Sequence, residues 1–129
     1  MFADARSIRN LAIPFLGLYF FHVLHVLEEF WGEFRAVQIM GREIFLAVNV
    51  VLLGLPLIMF ILLLDNRRGA VRLGRLYAAV MILNGLGHIT ALAISGRYFG
   101  FAAGAGTGLG LLVFGILTFI RLFPVKDRR

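Results

Sequence analysis

Four apolar runs, each about 20 residues long and separated by short polar links, occupy most of this 129-residue chain. A helix of about that length crosses the hydrocarbon core of a bilayer. The runs predict four spans, at about residues 11–31, 44–64, 76–95 and 101–123. Hydrophobic residues make up 60% of the chain and charged residues 16%, too few to solvate the surface of a soluble domain. We therefore predict an all-α membrane protein, folded as a single four-transmembrane-helix bundle over residues 1–129.

The basic residues predict the orientation of these spans. They are concentrated at both ends of the chain and in the second link, which contains Arg67, Arg68, Arg72 and Arg75. The first link has Arg35 and Arg42 as its only basic residues, and the third link has only Arg97. Because lysine and arginine are retained on the cytoplasmic side, both termini are predicted to be cytoplasmic.

The net charge of +6 does not indicate a nucleic-acid partner. Its basic residues lie at the membrane boundaries, where they set topology and meet anionic lipid headgroups. The first run is long and ends at Trp31 without a small-residue cleavage site, so we expect it to be a span and not a signal peptide. The chain has no cysteine, which excludes disulfides and thiolate metal sites.

Polar side chains occur inside all four predicted spans, where they are costly and usually face a protein interior or a wet cavity. They are His22, His25, Glu28 and Glu29 on the first span, Asn49 on the second, Asn84 and His88 on the third, and Thr107 on the fourth. At ~1.5 Å per residue, one residue from each span lies roughly 8–12 Å below the outer ends. These four are His25, Asn49, His88 and Thr107. We therefore predict a shared polar site in the outer half of the bundle.

Several of these residues also have a purely structural interpretation. His22 alone is compatible with a packed, hydrogen-bonded side chain, and one of the two glutamates with a solvated helix end beside Trp31. Asn49 and Thr107 are typical of interhelical hydrogen bonding. His25 and His88 are harder to explain in this way, because both are deep and lie at matched height on separate helices.

The fourth span begins with closely spaced glycines: Gly100, Gly104, Gly106, Gly108 and Gly110. Small residues four apart allow helix backbones to approach closely in lipid. A phosphate-binding loop is the alternative, but no strand precedes these glycines and no lysine follows them. The pattern favours helix packing.

The run His25-Val26-Leu27-Glu28-Glu29 resembles the motif of the HXXEE family of small bacterial membrane proteins. That family has a later Asn and His on its third helix and a Tyr-x-Pro-Gly-x-x-Thr-like element before its fourth. The corresponding residues here are Asn84, His88, Tyr98, Gly104 and Thr107, without the proline. The resemblance implies a multi-pass protein of the bacterial inner membrane, and it leaves the reaction open.

The spacing of His25 and Glu29 suits a metal site, since a histidine and a carboxylate four residues apart on a helix can bind one divalent ion from the same side. The motif also resembles the inverted zinc-protease pattern H-x-x-E-H. By this analogy His88 is a third ligand, Glu28 is the general acid or base, and the ion is zinc or iron.

Further roles follow from that hypothesis. Asn84 or Asn49 would orient the substrate or polarise its carbonyl, and Tyr98 would donate a proton at the rim. The pocket is predicted to extend to His22, Asn49 and Thr107. A site at this depth would act on a lipophilic small molecule or a membrane-tethered substrate, with membrane lipid as its surroundings.

The sequence leaves other functions open. One is a metal-free acid–base catalyst, an isomerase or cyclase, that uses a glutamate with His25 and His88. Another is an accessory subunit of a larger membrane complex, in which a histidine ligates haem or chlorophyll. A third is a small transporter or proton relay. Association into a homo-oligomer is also compatible with the glycines of the fourth span.

Overall fold

A computed structural model describes residues 5–65, 67 and 69–125 of the chain. Its helices are α1 (Ala5–Trp31), α2 (Arg35–Met40), α3 (Arg42–Leu64), α4 (Ala70–Ser95) and α5 (Ala105–Leu122), and a 3₁₀ turn at Gly100–Ala102 precedes α5. No β-strand occurs within these residues. The prediction of an all-α chain with four span-length helices is confirmed.

The apolar segments agree with the predicted spans to within two residues, except at the start of the third. They are Asn10–Trp31, Arg42–Leu64, Ala70–Ser95 and Gly100–Leu122. The third begins at Ala70 and not near residue 76, so that Arg75 is helical. Its guanidinium donates hydrogen bonds to the carbonyl oxygens of Leu122, Phe123 and Val125, which satisfies acceptors at the end of α5. Arg75, which was predicted to lie in the second polar link, is thus part of α4.

The centre of the bundle is formed by α1, α4 and α5. Its buried residues are Phe15, Leu18, Tyr77, Ala78, Met81 and Leu111. Close approach of α4 and α5 depends on glycine, because a Cβ at Gly108 would lie 3.1 Å from the carbonyl oxygen of Gly85. The packing interpretation of the glycines is confirmed at this position.

Helix α3 lies at the periphery of the bundle. Buried residues make up 6% of the most apolar stretch of this span, against 44% in the span that contains α5. With few neighbours inside the chain, α3 presents most of its apolar surface to the surroundings, as expected for a helix in lipid.

The short helix α2 was not predicted. It joins α1 to α3 and places Val37 against Val26 and Phe45. The turn into α2 also brings Phe34 next to His88 of the third span. The centroids of their rings are 4.9 Å apart. This segment therefore forms one wall of the polar site.

Candidate metal centre

The site begins on one face of α1. His25 and Glu29 are one helical turn apart, and both are buried, with exposed fractions of 1% and 8%. The Nε2 atom of His25 lies 3.4 Å from Oε1 of Glu29. A carboxylate at this depth in a membrane protein needs a polar or cationic partner.

Helix α4 supplies the second histidine. His88 is buried, and its Nε2 atom lies 3.1 Å from the same Oε1 atom of Glu29. The rings of His25 and His88 have centroids 4.7 Å apart and are nearly perpendicular, at 79°. One carboxylate oxygen is therefore shared by two imidazoles from different helices.

The spacing of these donors suits a tetrahedral metal ion. One donor atom each from His25, Glu29 and His88 can be chosen so that all three lie within 4.8 Å of one another. In a tetrahedral site with bonds of about 2.0–2.2 Å, ligand atoms lie about 3.3–3.6 Å apart. The two distances to Glu29, 3.1 and 3.4 Å, are close to that range. Two imidazoles and a carboxylate also form a known catalytic zinc ligand set.

Two ring nitrogens of the cluster lack a hydrogen-bond partner among the described residues: Nε2 of His25 and Nδ1 of His88. Buried polar atoms are nearly always paired, so an unpaired one requires an explanation. For His25 the unpaired atom is the one that faces Glu29. A cation held between them would satisfy both groups.

Glu28 points away from this cluster and into the amino end of α5. Its carboxylate accepts hydrogen bonds from the backbone N–H of Gly106 at 2.9 Å and of Thr107 at 2.7 Å. The hydroxyls of Thr107, at 2.5 Å, and of Tyr98 donate to it as well. A helix amino terminus is a favourable place for an anion. The glycine-rich segment, for which a phosphate-binding loop was the alternative interpretation, thus binds a carboxylate of the same chain.

Thr107 connects the two glutamate sites. Its Oγ1 atom lies 2.9 Å from Nδ1 of His25. Gly104 makes this approach possible, because a Cβ there would lie 2.5 Å from Cε1 of His25, and its φ of 104° disfavours other residues. Glu28, Thr107 and His25 are therefore linked by consecutive hydrogen bonds, and Glu29 follows beyond His25.

Comparison of the chain with protein-family models, curated proteins and solved structures finds no match. The function must therefore be inferred from the residues of the site and their geometry.

The remaining predicted site residues lie in other contacts. His22 bonds the hydroxyl of Tyr77 at 3.1 Å, and Asn49 donates to the carbonyl oxygen of Phe45 on its own helix at 2.9 Å. Asn84 lies one turn before His88 and lines a cavity with it. The structure thus brings His25, Glu29 and His88 into direct contact. Hydrogen bonds connect Glu28, Tyr98 and Thr107 to this cluster. Asn84 is connected to it through the cavity beside His88.

This cavity has a volume of about 250 Å³ and opens beside His88. Its apolar walls are formed by Phe34, Leu83, Ala91 and Phe101. Leu83 and Phe101 are 68% and 58% exposed, so the mouth of the cavity is on the apolar outer surface of the bundle. A second cavity, of about 530 Å³, lies on the Glu28 side between Leu27, Trp31 and Phe99.

Some features of the site were not predicted from sequence. Phe34 was not singled out, because nothing in the sequence indicates that the link after α1 folds back. The spacing of Gly104 and Gly106 predicts helix packing, whereas in the structure Gly104 lies against His25 and Gly106 against Glu28. Matched depth groups Thr107 with the histidines, whereas Tyr98 and Gly104 are grouped with them by the resemblance to the HXXEE motif set.

Proposed function

We propose that this protein is a membrane-embedded metalloenzyme. One divalent ion, zinc or iron, is held by His25, Glu29 and His88. The observation that supports this best is the convergence of three buried donors from α1 and α4 on one small volume. Groups of this kind are expensive inside a bilayer and are usually functional.

The donor set suits catalysis better than a closed structural site. Catalytic zinc sites use three protein ligands and leave a fourth position for water or substrate, and the ion supplies Lewis acidity and an activated water. In this protein Glu29 and the two imidazoles fix the site, while Asn84 lies at the cavity wall, where an amide can hold a substrate carbonyl.

The proposed substrate is lipophilic or tethered to the membrane. The cavity beside His88 is walled mainly by apolar side chains, and its mouth lies on the lipid-facing surface. At about 250 Å³ it exceeds the roughly 150 Å³ that accommodates a benzene molecule. A compact apolar group next to a polar head would fit there, with lateral entry from the bilayer.

We further propose that the site faces the outer half of a bacterial inner membrane, with both termini in the cytoplasm. The distribution of arginines supports this orientation. The resemblance to the HXXEE family supports the bacterial location. Of the residues that carry it, His88, Tyr98, Gly104 and Thr107 lie against the His25–Glu28–Glu29 motif, and Asn84 lines the cavity beside His88.

Metal-free acid–base catalysis is the second candidate. Oε1 of Glu29 is within hydrogen-bonding distance of Nε2 of His88, at 3.1 Å. A carboxylate shared by two imidazoles can move a proton between them and a bound substrate without an ion. Isomerisation or cyclisation of an apolar substrate would suit such a site.

Metal analysis of the purified full-length protein in detergent distinguishes the two candidates. We expect one equivalent of zinc or iron in the wild type and its loss in His25→Ala, Glu29→Gln and His88→Ala. His22→Ala is the matched control, because it removes a buried histidine of the same helix that bonds Tyr77. Folded wild-type protein that binds no metal when zinc or iron is supplied would exclude the metalloenzyme and favour the acid–base catalyst.

A further inference from the structure

We propose that Glu28 and Thr107 are positioning residues, which hold His25 in the tautomer protonated at Nδ1. The Nε2 atom of His25 then presents a lone pair towards Glu29. That the lone pair binds a metal ion rests on the proposed function. The tautomer itself follows from the hydrogen bonds of the chain.

Glu28 is the acceptor at one end of this chain of hydrogen bonds. Its carboxylate is surrounded by donors, two of which are backbone N–H groups, of Gly106 and Thr107, that can only donate. It also lies at the amino terminus of α5, where negative charge is favoured. The hydroxyl of Thr107 is a further donor, with its Oγ1 atom 2.5 Å from Oε2 of Glu28. Glu28 therefore acts as an acceptor.

The hydroxyl of Thr107 has a single proton to donate. The carbonyl oxygen of Gly104 is the other acceptor nearby, but it lies 3.3 Å away, against 2.5 Å for Glu28. The proton therefore goes to the carboxylate. Towards His25, 2.9 Å away, Oγ1 can then only accept. Nδ1 of His25 must carry the hydrogen.

Nε2 of His25 is then left with a lone pair. A neutral ring has one N–H, so protonation at Nδ1 leaves Nε2 as an acceptor. This atom is buried, faces Oε1 of Glu29 at 3.4 Å and has no hydrogen-bond partner in the part of the chain that is described. Two lone pairs thus face each other in a buried site. A metal ion between them would be bound by both.

This assignment gives Glu28 a different role from the one predicted by analogy with the inverted zinc-protease pattern. Metal-bound histidines usually donate their other ring N–H to a carboxylate, carbonyl or water, which fixes the ring and raises its basicity. Here that partner is a hydroxyl, polarised in turn by Glu28. Glu28 orients a ligand through Thr107 and does not need to touch the substrate.

Nitrogen NMR of the metal-free protein tests the tautomer directly. In protein labelled with ¹⁵N-histidine, long-range proton–nitrogen correlations should show His25 protonated at Nδ1. Thr107→Val should abolish this preference, and Thr107→Ser should restore it. The matched control is Thr118→Val, because Thr118 is a fully buried threonine of the same helix whose Oγ1 has no partner among the described residues.

Zinc competition titration supplies the second measurement. Loss of an outer hydrogen-bond partner typically lowers metal affinity about 10–100-fold. We expect a decrease of that size in Thr107→Val, recovery in Thr107→Ser and no change in Thr118→Val.

The two measurements separate this inference from the proposed function. A wild-type His25 protonated at Nε2, or equal effects of the two valine variants, would overturn the positioning role even if zinc binds. The expected tautomer in a protein that binds no metal would support the positioning role and overturn the metalloenzyme.

Discussion

Nε2 of His88 lies 3.1 Å from Oε1 of Glu29, and the contact joins α4 to α1 through a buried polar pair. His25 approaches the same oxygen from Glu29's own helix, at 3.4 Å. A buried carboxylate that loses its partners is strongly destabilising, because its charge is left uncompensated. The cluster is therefore a structural link between helices as well as the proposed ligand set.

The adjacent glutamates have separate roles in this arrangement. Glu29 lies between the histidines, while Glu28 binds the amino end of α5. Because Thr107 contacts both Glu28 and His25, the position of α5 is coupled to the orientation of a proposed ligand. Glu28 thus supports the orientation of His25, while Glu29 belongs to the proposed ligand set itself.

Metal removal should destabilise the protein. A ligand that binds only the folded state at 100 times its Kd contributes about 2.7 kcal/mol. We therefore expect wild-type protein to unfold at a lower concentration of sodium dodecyl sulfate after chelation than with saturating zinc, as followed by far-UV circular dichroism. His88→Ala should lose this difference and His22→Ala should keep it. Identical wild-type curves with and without zinc would contradict the prediction.

The helices were predictable because the constraint on them is simple. A bilayer-spanning segment must be apolar and long, and both properties can be counted in the sequence. The matched depth of His25 and His88 followed from helix rise alone, and in the structure their rings are 4.7 Å apart. The short helix α2 has no comparable signal.

The division between Glu28 and Glu29 could not be predicted in this way. The two residues are 100° apart on one helix, so both are within reach of His25. The choice depends on the non-helical backbone around Gly104, whose φ of 104° places two N–H groups next to Glu28. Such a conformation depends on tertiary contacts that helical periodicity does not contain.

Cysteine labelling tests the proposed orientation, and the absence of native cysteine makes single variants unambiguous. Ser95 ends α4 on the predicted outer side, and Asp65 follows α3 on the predicted cytoplasmic side; both are exposed. A membrane-impermeant maleimide should label Ser95→Cys in intact cells and Asp65→Cys only after permeabilisation. Neither variant removes an arginine, so the topology signal is preserved. The opposite labelling pattern would place the site on the cytoplasmic side.

Gly104→Ala should disturb the proposed metal centre and not only the backbone. Gly100 is the matched control, because it also has a positive φ, of 78°, but a Cβ there would meet nothing within 4 Å. Gly100→Ala should lower the free energy of unfolding by about 1–2 kcal/mol, the usual cost of a left-handed conformation. Gly104→Ala should lower it further, because its Cβ would also clash with the buried ring of His25. Only Gly104→Ala should also weaken zinc binding, since its Cβ would displace the ring of His25. Equal zinc affinities in the two variants would contradict this role of Gly104.

Gly87→Leu should close the cavity beside His88 while leaving the proposed metal centre in place. A Cβ at Gly87 would meet nothing within 4 Å, so a larger side chain can enter the cavity without displacing α4. Gly54→Leu on α3 is the control, because its Cβ is equally free and it lies outside the residues that line this cavity. Both variants should gain helix stability, by about 0.8–1 kcal/mol, and bind zinc as the wild type does. Photolabelling of α4 by a short alkyl diazirine ester should fall to background in Gly87→Leu alone, and undiminished labelling there would show that the cavity does not receive apolar molecules.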